Sequence, residues 1–538
     1  MFEAFSKGEL LSKIADPKKG MDTADNDAFL RLWWEVSSPS VGRLQDACRW
    51  VWYNKGGSFR RWYGNNDFVI KWENDGEEIR SRTKASTKKP TIRNEQYFGR
   101  EGFTWSAVST GGFSARYTPP GAIFDSAGST LFADTNLMKY GALLNSSSTD
   151  AFLRILAPTI NIGAGSIGNI PVPSALDDAY IVSKRCIEIA KNECDSNELS
   201  YDFIGTPLRC SSSSTLMDAI QDHLDIVSKN FEELRSLEEK NNEVMAQACG
   251  LMEATQSKDE NRELKLKSNS KKSIDLLRNV VEDYLSYFVG CLFGRYSLDV
   301  PGLVLASQGE TLEDYLVKVP EPSFAPDRDN VVPVLDGQWF QDDIVSRFRQ
   351  FLRASFGEEQ FEENLRFIED ALGKSVRDYF VKDFYKNHLQ RYKKRPIYWM
   401  FSSPRGSFNA LIYMHRYNPS TVSTVLNEYL REFQTKLEAE QRNQESFAIS
   451  VDGSPRDKAR AEKEVEKIRK MLTELKDYER DVLYPLAAQQ KEIDLDDGVL
   501  VNYLRFGKAL APIKEIEKKR SDVEKWEWPT NKLEPTDE

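Results

Sequence analysis

Few residues in this 538-residue chain have the type and spacing that chemistry requires. Gly163-Ala164-Gly165-Ser166-Ile167-Gly168 is a literal G-x-G-x-x-G. To cradle a phosphate it needs a strand before it and a helix opening on its last glycine, so that backbone N–H groups face the ligand. Pro158 precedes it and Pro171 and Pro173 follow, so an ordinary glycine-rich loop is expected. Gly373-Lys374-Ser375 has the ending of a P-loop, but Ile368 stands where the first glycine belongs. Thr118-Pro119-Pro120-Gly121 has neither the leading amide or carboxylate nor the closing aromatic that would hold an extruded base, and reads as a turn. No nucleophile elbow is present. Three scattered histidines (His223, His388, His415) and six cysteines without C-x-x-C spacing supply neither a general-base constellation nor a zinc site. The expectation is therefore no catalytic residue and no metal.

The basic and aromatic stretch after Phe59 is different. Arg60-Arg61-Trp62-Tyr63 leads to Asn65, Lys71-Trp72, Arg80, Arg82, Lys84, Lys88, Lys89 and Arg93. Lys and Arg neutralise phosphates, Arg also reaches guanine edges, and Asn reads adenine. The whole chain has a formal net charge of −11. Residues 43–100, however, hold 13 basic and 7 acidic side chains, whereas residues 151–538 carry a net −13. Local charge decides whether a surface can meet phosphates. Either a phosphate-contacting surface or a solvated Lys-rich loop satisfies this composition. Acidic pairs such as Glu358-Glu359 and Glu362-Glu363 read as solvated helix faces.

The elements that must position these residues divide the chain. Residues 1–173 read as mixed α/β, with short strand-like runs such as Phe68–Trp72 and two short helices in 136–157 broken at Asn145–Ser148. From about 175 the chain turns helical: Leu216, Ile220, Leu224, Val227, Phe231 and Leu234 put an apolar stripe on one long helix, in a 174–272 spacer region that ends in a polar break at 255–272. Residues 273–420 form a helical domain, with helices predicted at 273–292, 342–355 and 360–390. Two stripes follow, Val422, Leu426, Leu430, Phe433, Leu437 and Ala461, Val465, Ile468, Leu472, Leu475. They are joined by a polar turn at 450–455, which predicts an antiparallel helical hairpin within 421–495. Residues 496–538 form a charged tail. The fold class expected is α+β. The N-terminus has no signal-peptide pattern and no apolar run reaches membrane-spanning length, so a cytoplasmic location with reduced thiols is expected.

Several long strings are more specific than these short motifs. Lys13–Gly20, Thr23–Phe29 and Trp34–Val36 resemble the start of the target-recognition region of the PglX adenine-specific methyltransferases of BREX phage-defence systems. So do Trp52–Gly57 and Phe59–Asn65; Gly102–Ser106, Arg116–Gly121 and Leu144–Ser146 are further matches, and Pro158-Thr159 with Gly165–Pro171 resembles the same region's end. Glu238–Asn242, Gly250-Leu251, Gly290–Ser297, Arg395–Trp399, Phe408-Asn409, Met414–Tyr417 and Asp481–Pro485 are similar to landmarks of the helical part of that family. The resemblance covers essentially the whole chain. It implies a DNA target-recognition domain in residues 1–173, a helical scaffold behind it, and double-stranded DNA as partner. It also implies, as further partners, a methyltransferase half using S-adenosylmethionine and other BREX proteins. The family's S-adenosylmethionine loop and Asn-Pro-Pro-aromatic tetrad lie in an N-terminal half and are not found here, so the chain is expected to match the C-terminal half alone, and no catalytic residue is carried over. Under this resemblance the candidate DNA contacts are Lys18, Lys19, Asn26, Arg60, Arg61, Asn65, Lys71, Arg80, Arg82, Lys84, Lys88, Lys89 and Arg116. A protein-interaction platform with residual DNA binding is the alternative, motivated by the acidic helical part.

Overall fold

The computed structural model describes residues 2–82, 89–109, 111–173, 179–210, 215–251, 270–450, 453–530 and 533. It has an α+β fold, many helices with several small sheets, and the chain forms two compact units. One comprises residues 1–34, 38–207 and 221–273, the other 35–37, 208–220 and 274–538.

In the first unit, Phe68–Lys71 is a strand, its alternation bounded by Asn66-Asp67 and Glu73-Asn74. It lies antiparallel between Leu30–Leu32 and Trp50–Asn54. Val41–Gly42 and Ile123–Phe124 each pair parallel with Trp50–Asn54. A second sheet is antiparallel throughout, in the order Asp16–Lys18, Thr130–Phe132, Gly102–Trp105, Ala115–Thr118. Helices Leu137–Leu144 and Ser147–Leu156 follow. They break at Asn145-Ser146, as expected, because the Ser146 hydroxyl caps the second helix by accepting from Thr149 N. Phe103, Trp105, Leu131, Leu143, Phe152 and Ile167 are among the side chains of the shared core.

The glycine-rich segment departs from expectation. Ala164–Gly168 makes a single helical turn entered from Gly163, and Pro171–Val172 pairs antiparallel with Glu9–Leu10. The prolines lie beyond the turn rather than within it, so they do not forbid it. No strand precedes it and five residues make no phosphate cradle. Thr118–Gly121 is a turn, with Gly121 at φ +113, where a Cβ would meet Arg43 Cβ at 2.5 Å.

The second unit is mainly helical. Ser270–Leu292, Ile344–Phe356 and Phe361–Leu372 match predicted helices. The helix predicted across 360–390 is interrupted at Gly373-Lys374-Ser375. Gly373 ends one helix in the left-handed region (φ +68), and Ser375 caps the next by accepting from Asp378 N. The tripeptide that looked like a P-loop ending is a helix junction. Phe288 packs against Phe324, Phe348, Phe351 and Phe380, and a three-stranded antiparallel sheet orders Val332–Pro333, Asn409–Tyr413 and Tyr398–Ser402.

Both hairpin stripes are buried, from Val422 to Leu437 and from Ala461 to Leu475. The ion pairs Arg431–Glu479, Lys476–Glu438 and Arg469–Glu445 run in opposite directions along helices Arg431–Ile449 and Pro455–Tyr478. Such a register exists only in an antiparallel pair. Among the described residues no helix is long and apolar enough to cross a membrane.

Candidate nucleic-acid interface

Many cations of the basic segment and its flanks are paired with carboxylates of the first unit. Lys18 pairs with Asp16 at 2.9 Å and lies over the Tyr97 ring. Lys71 pairs with Glu78 at 2.6 Å, and Arg82 with Asp25 at 2.9 Å while covering Phe29. Arg80 pairs with Glu95 and Asp75 and lies over Trp72. Arg100 pairs with Asp134 at 2.6 Å, and Arg49 with Glu73 at 3.2 Å. Bonding to these carboxylates, above all Glu95 for Arg80 and Asp16 for Lys18, holds the pKa values of Arg80 and Lys18 above their ordinary values.

Arg61 and Arg116 were expected at the surface and are buried, at 7% and 1% exposure. The reason is the path of Arg60–Tyr63. Trp62 N donates to Ala115 O at 2.9 Å and Tyr117 N donates to Trp62 O at 2.7 Å, so this segment runs alongside the strand Ala115–Thr118. Trp62 sits at φ +69, fully buried, with its indole donating to Glu238 Oε1 at 2.6 Å. Arg61 faces Glu238 at 3.7 Å and Asp150 at 3.9 Å. The helix Leu216–Ala248 carries Glu238 and is tied down further along: Asn241 donates to Ala142 O at 2.9 Å and Asn242 accepts from Ser147 N at 2.8 Å. Sequence reasoning about contacts missed Glu238, Asn241, Asn242 and Asp150. Glu238, Asn241 and Asn242 lie in a family-like string on the polar face of a striped helix, and Asp150 lies on the helix Ser147–Leu156; what each of them faces depends on the fold.

Asn65 uses its amide locally, donating to Ser58 O at 2.8 Å. Asn26 is exposed and accepts from Thr23 Oγ1 at 2.8 Å. Lys84 and Lys88 lie outside the described residues. Among the described residues of the segment and its flanks, Lys19, Arg43, Arg60, Lys89 and Arg93 are exposed and form no ion pair. Some of these come together only in the fold. Asp22 and Thr91 exchange backbone hydrogen bonds at 2.9 and 2.8 Å, and Asn94 donates to Lys19 O at 2.8 Å. The chain around Lys19 thus lies beside the chain around Arg93, some seventy residues later.

Ser106 anchors the loop before Arg60. Its hydroxyl donates to Gly57 O at 2.9 Å and accepts from Gly57 N at 3.0 Å, and Arg116 Nη2 approaches it at 3.4 Å. Asp125 holds the base of that loop by accepting from Tyr53 and Lys55 at 2.7 and 3.0 Å. Burial, reinforced by Asp125, raises the Tyr53 phenol well above its usual range, so it stays a donor. Among the described residues no group of three or more His, Cys, Asp or Glu could hold a metal ion. The surface is equipped to bind anions and polar edges.

No family model matches the chain. It is 35% identical over 536 residues to the adenine-specific methyltransferase PglX of Lacticaseibacillus casei (strain Zhang), and 34% identical over 534 residues to the adenine-specific methyltransferase BrxX of Escherichia coli O9:H4 (strain HS). These alignments cover 94% and 93% of this chain but 43% of each relative, so the chain spans less than half the length of the curated relatives it matches. Over nearly all of its length, the chain is similar to one portion of adenine-specific methyltransferases.

Proposed function

We propose that this chain supplies DNA target recognition and scaffolding to an adenine-N6-specific DNA methyltransferase of a BREX-type phage-defence system. The observation that carries this reading is the similarity over 93–94% of the chain to two adenine-specific methyltransferases. In this reading the chain corresponds to the C-terminal half of such an enzyme, with residues 1–173 as recognition domain and residues 174–538 as helical scaffold. S-adenosylmethionine binding and methyl transfer to an extruded adenine belong to the rest of the enzyme. The five exposed, unpaired cations and Asn26 are the groups available for duplex contact, and Lys84 and Lys88 belong to the same segment. Arg61 and Arg116 act from beneath this surface.

The test is affinity for duplex DNA as a function of salt. Binding that weakens steeply with salt, and is weakened by Arg60→Ala together with Lys89→Ala, supports the reading; no binding at low salt sinks it. Methyl transfer by the purified chain alone is expected to be nil, and any adenine methylation overturns the division of labour.

A second reading, a protein-interaction platform with residual DNA binding, is favoured by exposed apolar side chains on the helices of the first unit, Ile181 and Ile226. It predicts affinity for DNA that no substitution of the five cations alters.

A further inference from the structure

Arg61 and Arg116 are both buried guanidinium groups in the first unit, but only one is compensated. Arg61 faces two carboxylates. Arg116 has none: its nearest polar contact is the Ser106 hydroxyl at 3.4 Å, and its Nε and Nη1 are buried without a hydrogen-bond partner. Burying an unpaired cation is costly, and mutation to an apolar residue of similar size would ordinarily relieve that cost. Burial, and then the nearby positive charge of Arg60, push Arg116 down to about 10, so it remains charged at neutral pH. A second cation beside the first makes the arrangement worse for the protein alone. It favours only an anion.

The surroundings suit one. Arg60 is exposed, forms no ion pair among the described residues, and folds back over Gly64: a Cβ there would meet its Cδ at 3.0 Å and Nη1 at 3.3 Å. The loop before Arg60, anchored by Ser106, turns through Gly56 at φ +85 and Gly57 at φ +152, with the Asn65 side chain packed against Gly57. The backbone bonds of Trp62 to Ala115 and Tyr117 lay the Arg60–Tyr63 segment along the strand that carries Arg116, so the exposed cation and the buried one belong to neighbouring stretches of chain.

We propose that Arg60 at the surface and Arg116 beneath it form a single oxyanion site whose occupant is a backbone phosphodiester of DNA. This rests on the DNA-recognition reading and adds to it a buried charge that favours a phosphate held by Arg60 without being a surface group itself. Such a contact sets register on the duplex without reading bases. Arg116 is a positioning charge and Arg60 is the contact.

Three variants of the full chain test it: Arg60→Ala, Arg116→Met and Arg116→Lys. First, melting temperature is measured with inorganic phosphate against chloride at matched ionic strength. The unmodified chain should gain about 2–5 °C from phosphate. Arg116→Met should melt no lower than the parent in chloride and lose the phosphate response. Arg60→Ala, exposed and thus no risk to folding, should lose most of it, and Arg116→Lys should keep part of it. A parent chain indifferent to phosphate, or an Arg116→Met variant that still responds, overturns the site. Second, the salt slope of duplex binding should become shallower by about 0.9 in Arg60→Ala and in Arg116→Met, equally for all DNA sequences. DNA binding with an unchanged slope leaves the recognition reading standing and removes this site. A phosphate response dependent on both arginines, with no DNA binding at all, retains the oxyanion site, overturns DNA as its occupant, and ends the recognition reading.

Discussion

Glu238 serves two groups with one carboxylate, accepting from the Trp62 indole at 2.6 Å and facing Arg61 at 3.7 Å. Removing it leaves a buried indole N–H unbonded and takes from Arg61 one of the two carboxylates it faces. Glu238→Ala is expected to lower stability by about 3 kcal/mol, read as a shift of the urea midpoint at constant slope. A loss below about 1 kcal/mol would mean the loop is held by its backbone bonds alone. The histidines give a pH dependence. His415 is fully enclosed, and desolvation, with Arg295 nearby, lowers its pKa to about 3. Its folded pKa is thus below the unfolded value of 6.5. Between those values the unfolded chain binds a proton that the folded chain refuses, so stability is complete above pH 6.5 and declines as pH falls toward 3. His388 is depressed by burial in the same direction. His415→Gln should flatten stability against pH between 6.5 and 4.5, by at most about 1.4 kcal/mol for each pH unit; an unchanged profile would show that other groups govern acid unfolding.

At the scale of elements, the hairpin of Arg431–Ile449 and Pro455–Tyr478 separates two kinds of contact. Leu437 and Leu475 are buried, whereas the Lys476–Glu438 pair is exposed. Leu475→Ala is expected to cost about 3 kcal/mol through lost transfer energy and a cavity, and Glu438→Ala less than about 0.5 kcal/mol. Chemical denaturation of the two variants should keep that order. Gly141 in the helix Leu137–Leu144 makes a sharper case, because an added Cβ would sit 2.0 Å from the Phe103 ring. Gly141→Ala normally favours a helix by up to about 1 kcal/mol, but here it should destabilise by about 1–3 kcal/mol through overpacking. A stabilised variant would show that Phe103 can move aside.

At the scale of the molecule, the strongly negative charge of residues 151–538 coexists with a basic segment in which Lys71, Arg80 and Arg82 are spent on neighbouring carboxylates. Five exposed, unpaired cations among the described residues of the basic segment and its flanks set a modest electrostatic footprint there. Duplex binding should therefore show a slope of log affinity on log salt near about −4.5. A slope twice as steep would require a contact surface reaching well beyond these residues.

The amino-acid sequence by itself determined the long-period features. Stripes such as Val422–Leu437 and Ala461–Leu475 became a hairpin, and Asn145-Ser146 broke the helices, because periodicity and capping act over a few neighbouring residues. The similarity to adenine-specific methyltransferases was also legible, since identity is carried by the residues themselves. Only the tertiary structure decided which arginines reach solvent. Arg60 and Arg61 are adjacent and chemically equal in sequence, yet one is exposed and the other is enclosed against Asp150 and Glu238, residues remote in the chain. The same holds for Arg116, whose burial depends on the path of the Arg60–Tyr63 segment along its strand. Burial and charge compensation depend on which remote groups are brought within a few ångströms, and local sequence does not encode that distance.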